Sequence, residues 1–352
     1  MAADITGSLR RFQNGTYSFD DLRLLIEKYK QENNWPALRR VRIAAKRLQI
    51  AQVARSGQPI RIQVVATSDD EKDEFRKFAW GDYWLQYELI WFLGMRGFLV
   101  TRENPHVTWH LFGFPRALPP QTYNIAWCTS HPELLTPEVV FTYDQVYTLG
   151  DLHAQKLVQV GIDAEVMPAA SSKTPYPAPE RRYPAVFIGN TKPGQGMRPC
   201  VRMLKETGYP FLVWGWGWEE HLPPENIAGR YFDYTRINQL YATSACVLND
   251  HHPAMQAMGM VSPKNFDVCA AGGLLVCERN PGIDPIFGDS VPQFSSVEEL
   301  KNILFGLDQD PERREAMRQK AMRISLEYTY DKIIERISRH LREDCLVPMK
   351  AQ

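Results

Sequence analysis

Two spacing regimes divide the chain. Up to about residue 57, apolar side chains recur three and four positions apart, the period of a helix. Leu22, Leu24, Leu25 and Ile26 give DDLRLLIEKYKQ an apolar face, and Ser18 or Asp20 is placed to cap its start. Pro36 is set to open a second helix, ALRRVRIAAKRLQIAQVA. At Ile60 the period changes, and IRIQVVAT is a short apolar run of the kind buried on both faces of a parallel sheet.

From there strands and helices alternate. DYWLQYELIWFLGMRG is a predicted helix; FLVTR, VTWHLFGF, YNIAWCT, QVYTLG and AEVMP are predicted strands; HPELLTPEVVFTY and DLHAQKLVQVG supply a loop and helices. Pro168, Pro175, Pro177, Pro179 and Pro184 then mark an extended connection. The alternation restarts with strands AVFIGN, PFLVWGWG, CVLND and LLVCER, interleaved with helices RPCVRMLKETG, INQLYATSA and KNFDVCAAGG. SSVEELKNILFGL, a helix opened by Asp310-Pro311, and YTYDKIIERISRHLRED close the chain.

The predicted class is therefore α/β, with two Rossmann-like, doubly wound lobes facing across a cleft and a helical extension in front. The expected units are a helical extension (1–58), a first lobe (59–167), a Pro-rich linker (168–184) and a second lobe (185–330). A final helical segment (331–352) is expected to cross back to the first lobe. Ligands of such sheets bind outside the carboxyl ends of the strands, so the cleft is the expected site.

Composition narrows the classes. With 352 residues, 41 basic and 41 acidic side chains, the chain has no net charge to draw it to nucleic acid. No run approaches the roughly 20 apolar residues that span a bilayer. The start, MAADITGSLRRF, lacks the apolar core of a secretory signal, so the expected location is cytoplasmic. Asn33 to Ser68 holds no acid, and basic residues 39–61 form the one stretch suited to a peripheral membrane contact at its inner face or to an acidic partner; a solvated helix face is the plainer reading. Six scattered cysteines without a CxxC pair are read as buried thiols, and no metal site is expected.

Two segments carry chemistry. In IGNTKPGQGMR, a strand enters a loop with Gly189, Gly194 and Gly196, and a helix begins near Arg198. Small residues let backbone amides approach a phosphate, and Lys192 or Arg198 adds full charge. In LNDHHPAMQAMGMVSPKNFDVCAAGGLLVCE, a strand ends at Asn249, Asp250, His251 and His252. Ser262, Lys264 and Asn265 at the following helix start suit a diphosphate, and Asp267 suits a ribose diol. The alternatives are an ordinary turn, a helix cap and a surface lysine.

This second segment resembles the donor half of bacterial group 1-like glycosyltransferases, the subset related to spore-maturation glycosyltransferase-like proteins. IGNTKPGQGMR, LVWGWGWEEHLP, IAWCTSHPELLTPEVVFTYDQVYTLGD, WGDYWLQYELIWFLGMRGF and YTYDKIIERI extend the resemblance over about 60–340. It implies a hexosyltransferase-like GT-B enzyme of glycan biosynthesis that takes a nucleotide-diphosphate sugar and a hydroxyl acceptor (a glycan, lipid-linked glycan or protein) and needs no metal or other cofactor. Gly189, Asn190 and Arg198 would then contact phosphate; Ser262, Lys264 and Asn265 the diphosphate; and Asp267 the ribose. Gly272 and Gly273, which close the same block, would also belong to the donor-binding set. Trp216, Asp250 and His251 are candidate donor contacts. His131 in SHPE would stand near the reacting sugar, and Asp82 is either the general base or a helix cap. Gly259 occupies the place where retaining relatives carry a sugar-binding glutamate, although family membership otherwise leans to retention.

Among the tryptophans, Trp91 and Trp127 are expected in the core, and Trp216 or Trp218 beside the base. The rival readings are a nucleotide-sugar epimerase of the same architecture and a non-catalytic nucleotide-sugar-binding scaffold.

Overall fold

The computed structural model describes residues 4–73, 77–78, 80–177, 180–191, 196–347 and 349. Lys192 and Gly194 of the glycine loop, and Pro179 of the linker, lie outside the described residues. The fold is two parallel six-stranded sheets with helices packed around them.

Three helices lead: α1 (Ile5–Asn14), α2 (Phe19–Gln31) and α3 (Trp35–Arg55). Ser18 starts α2 with a capping box closed by Asp21. Phe12, Leu22, Leu25, Val41 and Ala44 form a small core among the three. Three of the basic residues of α3 are engaged by the rest of the chain: Lys46 pairs with Asp144 at 2.7 Å, Arg39 donates to the Tyr143 carbonyl at 2.7 Å, and Arg47 donates to the Asp344 carbonyl. These three fasten α3 to the first lobe and to the chain end, while Arg42 and Arg55 of the same stretch stay exposed.

The first lobe comprises β1 (Arg61–Val65), α4 (Gly81–Met95), β2 (Leu99–Val100), β3 (Val107–Phe112), β4 (Tyr123–Cys128), α5 (Pro137–Val140), β5 (Gln145–Thr148), α6 (Asp151–Gln159) and β6 (Ala164–Val166). Its sheet runs β2-β1-β3-β4-β5-β6. All side chains of β3 and β4 are buried, as expected for central strands covered on both faces.

The second lobe comprises β7 (Tyr183–Ile188), α7 (Pro199–Thr207), β8 (Phe211–Trp214), β9 (Ile227–Gly229), α8 (Ile237–Thr243), β10 (Ser244–Asn249), α9 (Pro253–Ala257), α10 (Pro263–Ala270), β11 (Leu275–Glu278), α11 (Ile283–Phe287), β12 (Gln293–Phe294), α12 (Val297–Gln309) and α13 (Pro311–Ser325). Its order is β12-β11-β10-β7-β8-β9, which reverses direction between β7 and β10. A ligand crevice opens at such a switch point, outside the carboxyl ends of the two strands.

The last helix, α14 (Tyr330–Arg342), returns to the first lobe. Phe92 stacks on Tyr330, the Tyr123 hydroxyl bonds His340, and Arg336 ion-pairs with Glu165. The connection between lobes ends earlier than its prolines suggested, because Pro184 lies inside β7. Among the described residues no helix is long and apolar enough to cross a membrane. Trp127 is in the core, but Trp91 is 61% exposed. A helix packed on one face of a sheet cannot bury its outer side, and Trp91 lies on that side.

Candidate functional site

The site assembles at the switch point of the second lobe. The loop after β7 lies directly against the loop after β8. Thr191 donates its amide to the Trp216 carbonyl at 3.0 Å, and the Trp216 amide donates to Asn190 Oδ1, also at 3.0 Å. Gly215 is required here, since a Cβ on it would stand 2.1 Å from the Gly189 carbonyl oxygen. Trp218 is buried and donates its indole N–H to that carbonyl at 2.9 Å. It therefore props the Gly189 loop and is not placed to flank a base. Trp216 is half-buried, with Arg230 over its ring at 4.5 Å.

Two cations converge beside this loop. The Arg198 guanidinium stands 5.7 Å from the centroid of the Phe187 ring and the Lys264 ammonium 5.2 Å from it. Arg198 precedes α7 and Lys264 is the second residue of α10, so two different helix starts deliver them to one ring. Lys264 donates to the Ile188 carbonyl, and Arg198 ion-pairs with buried Asp250. Burial, with the charge of Arg198, pushes the Lys264 ammonium down to about 8. Arg198 Nε and Asp250 Oδ2 are both shielded from solvent without a hydrogen-bond partner among the described residues. Positive charge, an unpaired guanidinium N–H and two helix starts together suit an anion, whereas the Asp250 oxygen, an acceptor, does not add to it.

Asn265 and His251 are placed differently from the sequence expectation. Asn265 is fully buried and accepts a hydrogen bond from Asn249 Nδ2 at its Oδ1, while Ser262 Oγ receives one from Asn249 at 3.1 Å. His251 Nε2 accepts the Ser262 amide at 3.3 Å, and burial lowers its imidazole to about 4. Both side chains brace the turn before α10 from inside, and neither reaches the crevice. Gly272 and Gly273, expected beside the donor, lie at the opposite end of α10. They return their amides to the Cys269 and Val268 carbonyls and so close the far end of α10. A helix of eight residues puts that end about 12 Å from its start.

Asp267 points towards the connection between lobes. Its carboxylate accepts the Ser171 hydroxyl at 2.6 Å. Next to it, Lys173 pairs with Glu88 at 2.7 Å, and the Tyr234 hydroxyl donates to Glu88 at 2.6 Å. Lys173 and Glu88 are 8% and 7% exposed. Trp84 of α4 stacks on Tyr234 with centroids 3.9 Å apart. Burial raises the Asp267 carboxyl strongly, with Lys173 opposing and Glu88 adding to the shift.

Across the crevice, the first sheet has its own switch point between β1 and β3. Asp82 lies here, in the first turn of α4, whose N-cap is Trp80, so Asp82 is not the capping residue. One carboxylate oxygen accepts the Ser68 amide at 3.1 Å, and the other is buried without a partner among the described residues. Burial raises its affinity for a proton. Thr67 and Ser130 flank Gly113 at the neighbouring strand ends.

His131 follows, with φ 48° and ψ 53°, a backbone conformation uncommon outside glycine and asparagine. Its ring lies 4.4 Å from that of His252, which leaves the end of β10 in the other lobe. Glu133 Oε1 is 3.0 Å from His131 Nδ1 and 3.8 Å from His252 Nδ1. Among the described residues these three form the cluster of potential metal ligands, which reasoning from the sequence missed. The lobes also meet where a Cβ on Gly150 would come within 2.8 Å of the Gly259 carbonyl oxygen. Gly259 has φ 63°, so a glutamate there would be strained.

Residues 194–339 match the family model described as glycosyl transferase-like, a stretch that contains Arg198, Asp250, Ser262, Lys264 and Asp267. No curated protein matches the sequence. In fold the chain is similar to AviGT4, a glycosyltransferase involved in avilamycin A biosynthesis (16% identity, 82% of this chain and 98% of that one, TM-score 0.54). It is similar to sucrose-phosphate synthase from Thermosynechococcus elongatus (8% identity, 81% and 99%, TM-score 0.60). A third similar structure is T4 phage BGT in complex with UDP and Mn2+ (10% identity, 80% and 99%, TM-score 0.57). The architecture is GT-B.

Proposed function

We propose that this chain, whose second lobe carries the glycosyl transferase-like signature, moves a sugar from a nucleotide-diphosphate donor to a hydroxyl acceptor. The observation that carries the reading is the convergence of Lys264 and Arg198 over Phe187 at the β7–β10 switch point. The leaving diphosphate gains charge as the glycosidic bond breaks. Two fixed cations and the start of α10 stabilise that charge without reorganising. UDP bound to the phage enzyme supports a uridine or similar nucleotide as the carrier. That enzyme's complex also holds Mn2+; in the present reading protein cations carry the diphosphate, so transfer needs no metal.

Asp82 is proposed as the base that takes the acceptor proton. It combines burial, a free oxygen and a position at the facing switch point. His131, at the junction of the lobes, is proposed to border the reacting sugar. Asp267 holds the ribose once Ser171 has yielded its bond. Retention is the proposed stereochemical outcome on family grounds. An epimerase would convert the donor unaided, so incubation of the chain with single nucleotide sugars separates the two enzymes. Slow release of nucleoside diphosphate, accelerated by an added hydroxyl acceptor and lost in Lys264→Ala, supports transfer. Conversion of the donor to its epimer, or no release with any of a panel of nucleotide sugars, counts against it.

A further inference from the structure

His131, Glu133 and His252 bring two imidazoles and one carboxylate together from opposite lobes, with their ligand atoms all within 4.8 Å of one another. We infer that this cluster binds a divalent transition metal ion of the zinc class, and that the ion clasps the two lobes in the closed arrangement.

The donor set points to that class. Two imidazole nitrogens with one carboxylate oxygen suit Zn2+ and its neighbours, whereas Mg2+ and Ca2+ prefer oxygen alone. Spacing agrees. Donors about 2.1 Å from a tetrahedral ion lie about 3.4 Å from each other. The carboxylate oxygen is 3.0 Å from one histidine nitrogen and 3.8 Å from the other, on either side of that edge length. Small rotations of side chains that keep 27% to 40% of their surface exposed would equalise the distances.

The backbone prepares the site. His131 and Glu133 are two positions apart across a tight turn, and the left-handed conformation of His131 sets the direction in which its ring leaves the chain. His252 stands just before α9 in the other lobe, 121 positions away along the sequence, and its Nδ1 accepts the Ala254 amide at 3.4 Å, a long bond that metal binding through this nitrogen replaces. An ion held by all three therefore joins the lobes, and separating them breaks at least one metal bond. The ring of Phe114, 4.6 Å from that of His131, covers one side. Three protein ligands leave coordination positions for water or a substrate oxygen.

The inference does not rest on the sugar-transfer reading, and its test uses no nucleotide. The full chain is stripped with a chelator and titrated with Zn2+ by calorimetry, then with Co2+ while visible absorption is recorded. The expected result is one strong site per chain and the intense visible bands of low-coordinate Co2+. Glu133→Gln, which keeps shape and hydrogen bonding, should weaken that site at least tenfold, as should His252→Ala. X-ray scattering should show a smaller radius of gyration with Zn2+ than without it, and no change in His252→Ala. Circular dichroism checks that each variant is folded; if His252→Ala is not, Glu133→Gln carries the comparison. Absence of a stoichiometric site, or a site of equal strength in Glu133→Gln, overturns the metal assignment. A site that leaves the radius of gyration unchanged overturns the clasp.

Discussion

Ser171 and Asp267, 96 positions apart, share a hydrogen bond of 2.6 Å between the serine hydroxyl and the carboxylate. The acid assigned to ribose is thus held by the segment that joins the lobes. A nucleotide that uses the same carboxylate oxygen of Asp267 competes with Ser171 for it. Ser171→Ala should therefore bind UDP as tightly as the parent chain or up to about fivefold more tightly, since a competing bond of about 1 kcal/mol is gone. Calorimetric titration checks this, and a weaker complex would remove Asp267 from the donor site.

Protonation of Lys264 should govern donor affinity near neutral pH. Its ammonium is pushed down to about 8 by burial and by Arg198. Below that pH the charge is present and a diphosphate is gripped; above it the charge is lost. The dissociation constant of UDP should rise about tenfold between about pH 7 and pH 9. Lys264→Arg should flatten the rise, because a guanidinium stays charged. The sign for folding is opposite. A lysine whose folded value lies below its unfolded one favours the unfolded chain when protonated, so its contribution to stability improves as pH climbs from about 8 towards the unfolded value.

The buried Lys173–Glu88 pair should matter for stability more than for chemistry. Removing one partner leaves the other charge desolvated and unpaired, at a cost of about 3 kcal/mol. Lys173→Met should lower the midpoint of urea unfolding accordingly, and adding Glu88→Gln should recover part of the loss. Equal midpoints for Lys173→Met and the parent would mean that the pair is open to water.

Asp82 should separate catalysis from binding. Asp82→Asn is expected to reduce turnover at least about a hundredfold while leaving UDP affinity unchanged. Because burial raises the carboxyl's pKa, the acidic limb of the pH–rate profile should sit above the range of an exposed aspartate. The profile is the check that a merely structural Asp82 would not satisfy.

Local pattern was enough to place most elements. Apolar runs such as VTWHLF and YNIAWC announce central strands, and Asp310-Pro311 announces α13 with its Asp310 cap. The edge strands β9 and β12, of three and two residues, carry too few side chains to show a period. Residue types singled out Lys264 and Arg198, which the fold brings to one ring, because charge beside small residues is visible along the chain. They misplaced Asn265, His251, Gly272 and Gly273, because a polar residue near a loop reads alike whether it faces a ligand or braces the turn from within. The bond from Ser171 to Asp267 was not visible in the sequence, because the two residues are 96 positions apart. His131 stood out in SHPE, but Glu133 did not, and His252 meets them only through the packing of the lobes.

The most direct measurement is calorimetric titration of UDP into the parent chain and into Lys264→Ala at about pH 7, with circular dichroism confirming that both are folded. If the diphosphate sits between Lys264 and Arg198, the parent binds one UDP per chain and the variant binds it at least tenfold more weakly. Equal affinity in the two proteins, or no binding to the parent, would contradict the assignment.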